Sequence, residues 1–194
     1  VTVDPITVAG TVSGGATVCS GTNSTLLTLG VHTGTILRWE SSLDGTIWTP
    51  IANTVNTYTV INLTATTQFR AVVQNGICSQ VSSGSTSVTV NPDAIGGSLS
   101  GRSTPIDLGQ STGTITLSGY NGSIAKWQKR LGAGSWTDVT NTSATYSTTP
   151  NVVGTWEYRA QIQSGTCTAV NSSSLTIQVL SSNAGAVTGG STPI

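Results

Sequence analysis

Two all-β sandwich domains in tandem are predicted by three features of the 194-residue sequence: a long internal repeat, period-two alternation within each repeat, and a composition of strand and turn formers. Only 7% of residues are charged, glycine numbers 23 and methionine is absent, while Ser and Thr together supply about a third of the chain. Helical proteins draw on Ala, Leu, Glu, Lys and Met, so this balance favours strands joined by turns. Val, Ile, Leu and Trp recur at regular intervals, which separates the chain from disordered sequences of similar polarity.

The repeat has a period of about 88 residues. Gly34–Asn53 matches Gly122–Asn141, aligning Trp39 with Trp127 and Trp48 with Trp136. Tyr58 then aligns with Tyr146, Phe69 with Tyr158, Arg70 with Arg159 and Cys78 with Cys167. Val1–Pro5 repeats Val88–Pro92, and Gly189–Ile194 repeats Gly101–Ile106. Residues 1–8 therefore read as the tail of a preceding repeat, 9–95 and 96–182 as complete repeats, and 183–194 as the start of a following one. A unit this long holds its own core, unlike the 20–50-residue unit of a solenoid. Short joints at 91–97 and 181–185 are expected to restrict neighbouring units to a narrow range of angles, giving a rod of about 40 Å per unit.

Within the first unit, about seven strands are predicted near 15–20, 24–30, 35–42, 47–52, 56–62, 66–74 and 85–91. Asp44-Gly45 and Asn75-Gly76 are turn dipeptides, because glycine tolerates positive φ. Alternation sends Leu37 and Trp39 inward and Arg38 and Glu40 outward on one strand; on another, Phe69, Ala71 and Val73 point inward. Seven strands with a tryptophan on the third packing two sheets together is the immunoglobulin-like arrangement, with Trp39, Trp127, Phe69 and Tyr158 as core residues. Arg70 stands outside, facing Glu40 as an exposed cross-strand pair worth about 0–1 kcal/mol.

Three cysteines are present. Cys19 and Cys78 in the first repeat form the expected disulfide, whose roughly 60-residue loop would contribute about 4 kcal/mol in the chain-entropy treatment. Two buried free thiols are the alternative, since these positions are not the central pairing of antibody domains. Ile106 stands near the Cys19 position in the second repeat, which leaves Cys167 as an expected free thiol.

Chemistry-bearing patterns are sparse. His32, the single histidine, reads as a solvated loop residue rather than a triad base. Glu40 and Asp44 lie close in sequence but align with Gln128 and Gly132, so a solvated strand and turn is the reading rather than a glycosidase pair. Calcium-loop, phosphate-cradle and Cys/His motifs are absent, so no catalytic residue, cofactor or metal is expected. Net charge is zero without a basic run, which argues against nucleic acid. No apolar stretch reaches the roughly 20 residues that cross a bilayer. Trp48 and Trp136 are candidate sugar platforms, one per repeat; the competing reading has them cap the core beside Ile51 and Val139. Trp156, set against Gln68, reads as a partly exposed strand residue.

The pattern Trp39-x-x-Ser-x-Asp-Gly-x-x-Trp-Thr, with Ile51-Ala-Asn-Thr, Thr57-Tyr-Thr and Leu63-Thr-x-Thr-Thr-x-Phe-Arg-Ala-Val-Val-Gln-x-Gly-x-Cys78, resembles the repeats of the giant SprB-like surface adhesins of gliding Bacteroidetes. The resemblance covers both full repeats and both partial ones. It implies export by the type IX secretion system, display at the outer face of the outer membrane, and movement by the gliding machinery, without catalytic residues. The second repeat departs from a uniform pattern in having no cysteine that matches Cys19 and in carrying Gly132 where the first has Asp44. The expected function is thus that of a structural repeat in an extracellular filament, with neighbouring repeats and external surfaces or polysaccharides as partners. A repeated carbohydrate-binding module, using Trp48 and Trp136, is the alternative; a non-catalytic appendage of a secreted polysaccharide-degrading enzyme is a third.

Overall fold

A computed structural model describes residues 3–182; the following repeat read at 183–194 lies outside the described residues. The chain divides into two compact units, the first running to Asp93 and also taking in the loop Ser164–Thr168, the second formed by the remainder from Ala94.

The first unit contains β1 (Thr11–Ser13), β2 (Thr17–Cys19), β3 (Ser24–Gly30), β4 (Thr35–Ser42), β5 (Thr49–Ile51), β6 (Thr57–Ile61), β7 (Thr67–Gln74), β8 (Val81–Ser82) and β9 (Thr86–Asn91). One sheet has the order β1-β3-β6, the other β2-β9-β7-β4-β5 with β8 beside β7. All pairings are antiparallel except β2 with β9, which run parallel. The first strand therefore serves both sheets, β1 on one and β2 on the other, as in immunoglobulin-like sandwiches. The switch happens at Gly14-Gly15, where Gly14 takes φ 94°. A Cβ there would collide with the Leu26 carbonyl, so only glycine fits. Strand β1 escapes period-two reading because it is three residues long with one buried side chain, Val12.

The core of this unit lies between the sheets and centres on Trp39, Leu27, Leu29, Val60, Phe69, Ala71, Val73 and Val88. Trp39 is wholly buried, and its indole N–H donates to the Val55 carbonyl at 2.9 Å. That bond satisfies the one polar atom of a ring whose burial removes a large apolar area from water. Tyr58 continues the aromatic row, 5.9 Å from Trp39 and 6.0 Å from Phe69 between ring centroids.

Leu37 does not point inward as alternation alone predicts. The β4–β7 register shifts between Ile36 and Arg38, a bulge that leaves Ile36 buried and Leu37 37% exposed. The extra residue resets the phase, so Trp39 still faces the core. The second unit shifts at the same place, between Ile124 and Lys126.

The second unit contains β10 (Ser98–Ser100), β11 (Ile106–Asp107), β12 (Ile115–Ser118), β13 (Ser123–Leu131), β14 (Thr137–Val139), β15 (Thr145–Tyr146), β16 (Gly154–Gln163), β17 (Val170–Asn171) and β18 (Leu175–Leu180). It repeats the two sheets, β10-β12-β15 and β11-β18-β16-β13-β14 with β17 on β16, and β11 again runs parallel to β18. Trp127 and Tyr158 are fully buried at its centre. The Trp127 N–H donates to Ser143 O at 3.0 Å, and Tyr146 links the two rings. The Tyr158 hydroxyl is buried without a hydrogen-bond partner; burial pushes its ionisation far above the ordinary tyrosine value. Phe69 fills the same place in the first unit, so it is the ring that the fold requires.

Candidate functional site

The outer face of the larger sheet carries the polar chemistry of each unit. In the first, β4 and β7 set Glu40 opposite Arg70. Arg70 Nε donates to Glu40 Oε2 at 2.7 Å, and Arg38 approaches Oε1 at 2.7 Å. The expected pair is thus a triad, and Glu40 is buried rather than solvated, 5% exposed. The two arginine side chains hold both its carboxylate oxygens, and the Trp48 ring centroid lies 4.0 Å from the Arg70 guanidinium carbon.

Trp48 therefore does not cap the core. Strand β5 pairs Ile51 with Trp39, which turns Ile51 inward and, by alternation, Trp48 to the opposite face. Trp136 repeats the arrangement with two guanidinium carbons, Arg159 at 4.1 Å and Arg130 at 4.5 Å. Both indoles are half-buried, and arginine occupies ring surface that a sugar would need for stacking.

The polar network beneath Trp136 is built differently. Gln128 replaces Glu40, and the residue opposite it on the edge strand is Asp138 where the first unit has Pro50. Arg159 Nε donates to Gln128 Oε1 at 2.8 Å, and Gln128 Nε2 donates to Asp138 Oδ1 at 2.7 Å. Lys126 closes on Asp138 at 2.7 Å. The carboxylate has moved one strand outward while the arginine beneath the tryptophan is kept. Arg130 additionally pairs with Glu157 at 2.7 Å.

Charge follows geometry in these networks. Burial alone would push the Glu40 carboxyl up, but hydrogen bonds and charge from Arg70 and Arg38 outweigh it and hold the group below its ordinary 4.5. Hydrogen bonds from Gln128 and Lys126 lower Asp138. Asp44 falls well below the usual carboxylate range because Ile47 and Thr46 N–H groups and the Ser42 hydroxyl donate to it; it closes a turn and plays no part with Glu40. A lowered folded-state pKa stabilises above the unfolded value and that contribution is lost as pH falls through the folded value. Glu40→Gln is therefore expected to lower stability by about 1–2 kcal/mol at neutral pH, as a charge-assisted bond becomes neutral. It should also flatten the decline of the first unit's stability below pH 4.5, the ordinary value for this group. Denaturant titrations of both proteins between neutral and acid pH measure this, and parallel acid declines would refute it.

A cleft of about 630 Å³ opens between the sheets of the first unit, lined by Leu43, Ile47, Ile51, Tyr58, Thr67 and Phe69 among others. At one lining position of this cleft the second unit carries Trp156. Pairing opposite Ile177 makes it the equivalent of Thr67, which pairs with Val88, and not of Gln68. It lies on the core face, packs against the core and donates its N–H to Val152 O at 2.9 Å. An indole thus stands in the second unit where a threonine lines the cleft of the first.

The cysteines are arranged unlike the sequence expectation. Cys19 is bonded to Cys167, their Cα atoms 5.4 Å apart, and Cys78 is free. Strand order supplies the reason. Cys19 pairs with Asn91, next to the start of β7, because Thr67 pairs with Val88. Cys78 follows the far end of β7, roughly 25 Å away at ordinary strand rise, whereas a disulfide requires Cα atoms within about 7 Å. The loop Ser164–Thr168 belongs to the first unit and brings Cys167 to Asn91 and Pro92, with Sγ 3.9 and 3.8 Å from their carbonyl oxygens. His32 is half-buried in its loop. Among the described residues, no three His, Cys, Asp or Glu side chains group as a metal site, and no helix is long and apolar enough to cross a membrane.

Among solved structures, the chain is similar to a marsupial T cell receptor at 14% identity and TM-score 0.58, over 87% of this chain and 71% of that one. It also matches the FN1–FN3 domains of chicken CNTN1 at 15% identity and TM-score 0.43, over 89% and 65%. At 14% identity the likeness to the receptor concerns fold alone. Comparison with curated proteins gives no match. The family described as "Domain of unknown function (DUF8696)" matches residues 8–92 and again 95–181, so the chain belongs to that family and carries two of its domains in tandem.

Proposed function

We propose that these domains are links in a long extracellular filament or adhesin, whose task is to hold and extend rather than to catalyse. The observation that carries this reading is the succession of two family domains with a disulfide joining residues 148 positions apart. Disulfides persist in oxidising compartments, so the chain works outside the cytoplasm. Conserving a carboxylate–arginine–tryptophan surface by different residues in the two units favours a structural role for that surface. The resemblance to SprB-like repeats extends the reading to the surface of a gliding bacterium, with type IX export and the gliding machinery acting on the full-length protein.

Binding of the purified chain to polysaccharides and to abiotic surfaces tests the proposal against a repeated carbohydrate-binding module. What favours that second reading is the part of each indole, at Trp48 and Trp136, that stays exposed on the outer face beside the arginines. The filament reading expects no saturable binding, and no difference on changing both tryptophans to alanine. Saturable binding lost in a folded Trp48→Ala/Trp136→Ala protein would make each domain an adhesive module instead. Antibody labelling of intact cells that produce the protein tests its exposure at the surface.

A further inference from the structure

The loop holding the free thiol is built like the loop holding the bonded one. Cys78 N–H donates to Asn75 O at 2.9 Å, and Cys167 N–H donates to Ser164 O at 2.9 Å. Gly76 and Gly165 turn the two loops with φ 52° and 51°. A Cβ on Gly76 would collide with the Asp4 side chain, and one on Gly165 with Asn91. Asp4-Pro5 and Asn91-Pro92 are themselves equivalent in the repeat. The Cys78 thiol lies 3.7 Å from Pro5 O, as Cys167 Sγ lies 3.8 Å from Pro92 O. Asn75 fastens the first loop there, its side chain donating to Pro5 O at 2.7 Å and its backbone N–H to Thr7 Oγ1 at 3.1 Å. One element is missing at Cys78: a counterpart of the parallel strand that brings Cys19 opposite Asn91, which a preceding copy of the repeat would supply.

We infer that Cys78 is the acceptor half of a disulfide to the Cys19-equivalent cysteine of a preceding copy of this domain, so that the bond joins each repeat to the next. Asp107 occupies the corresponding place in the second repeat, pairing with Leu180 as Cys19 pairs with Asn91, so the series of bonds is interrupted after it. The inference does not depend on the filament proposal. Its chemistry is an oxidation: two thiols give up two protons and two electrons to a disulfide oxidant, such as oxidised glutathione, which leaves as two thiols.

The test places residues 1–87, carrying Cys78→Ser, directly before Val1, so that Val1–Asp4 complete the added copy as Val88–Asn91 complete the first unit. After refolding with oxidised and reduced glutathione, free thiols are alkylated and peptides are mapped without reduction. The expected result is a peptide joining the added Cys19 to Cys78, alongside the Cys19–Cys167 peptide that reports native folding. Alkylation of Cys78 should then drop to background, and a further Cys19→Ser change in the added copy should restore it fully. Full alkylation of Cys78 with Cys19–Cys167 intact would overturn the inference. Should the added copy not fold, the same map of protein purified from its natural source decides. Cys78 joined to an upstream repeat supports the pairing, and Cys78 recovered solely as a thiol refutes it.

Discussion

Replacing Trp39 by alanine should abolish the thermal transition of the first unit while the second unit still melts. Trp39 is completely buried, contacts the aromatic row through Tyr58, and donates its N–H to Val55 O. Truncation removes the largest side chain of the core and leaves the Val55 carbonyl without that donor. Losses of about 3–5 kcal/mol are typical of such a change, against roughly 4–13 kcal/mol of total stability for a domain of this size. Each kcal/mol shifts the midpoint by about 4–8 °C in small domains, so the first unit should be largely unfolded at physiological temperature. The second unit has a separate core around Trp127, and its transition should stay in place. Differential scanning calorimetry distinguishes the two. A shift of only a few degrees would mean that the sandwich collapses around the vacancy and that Trp39 is not its keystone.

Trp39 also marks where sequence reading succeeds. A large apolar residue in an alternating strand, repeated at Trp127 in the same setting, has one low-energy home, between two sheets. The boundaries of β3, β4 and β7 follow from the same alternation. Leu37 defeats it, because a bulge changes the phase for one residue and leaves no mark in composition. Glu40 defeats it differently. Alternation assigns its outward direction correctly, but its carboxylate is held by Arg38 on its own strand and by Arg70 on β7, which in turn lies under Trp48. Trp156 needed its strand partner, Ile177, before its equivalence with Thr67 became visible. The cysteines were hardest: pairing within one repeat follows from proximity in sequence, but sheet order puts Cys19 and Cys78 at opposite ends of β7.

Breaking the Cys19–Cys167 bond should accordingly lower the stability of the first unit far more than any loss of Cys78. When the first unit unfolds while the second stays folded, the intact bond closes a flexible segment running from Cys19 to the start of the second unit. In the chain-entropy treatment that constraint is worth about 4–5 kcal/mol, enough to move the midpoint of a small domain by roughly 20 °C or more. Cys19→Ser and Cys167→Ser should each bring this fall, and mild reduction of the native protein should reproduce it. Cys78→Ser should leave the first transition within a few degrees, because its half-buried thiol forms no disulfide and its contact with Pro5 O, at 3.7 Å, is a weak one that a hydroxyl can also make. A Cys19–Cys78 bond would reverse the pattern: Cys78→Ser would destabilise and Cys167→Ser would be silent. Three single substitutions read by one calorimetric transition therefore discriminate the two pairings. They also measure how much of the first unit's stability depends on a loop that the sequence places in the second repeat.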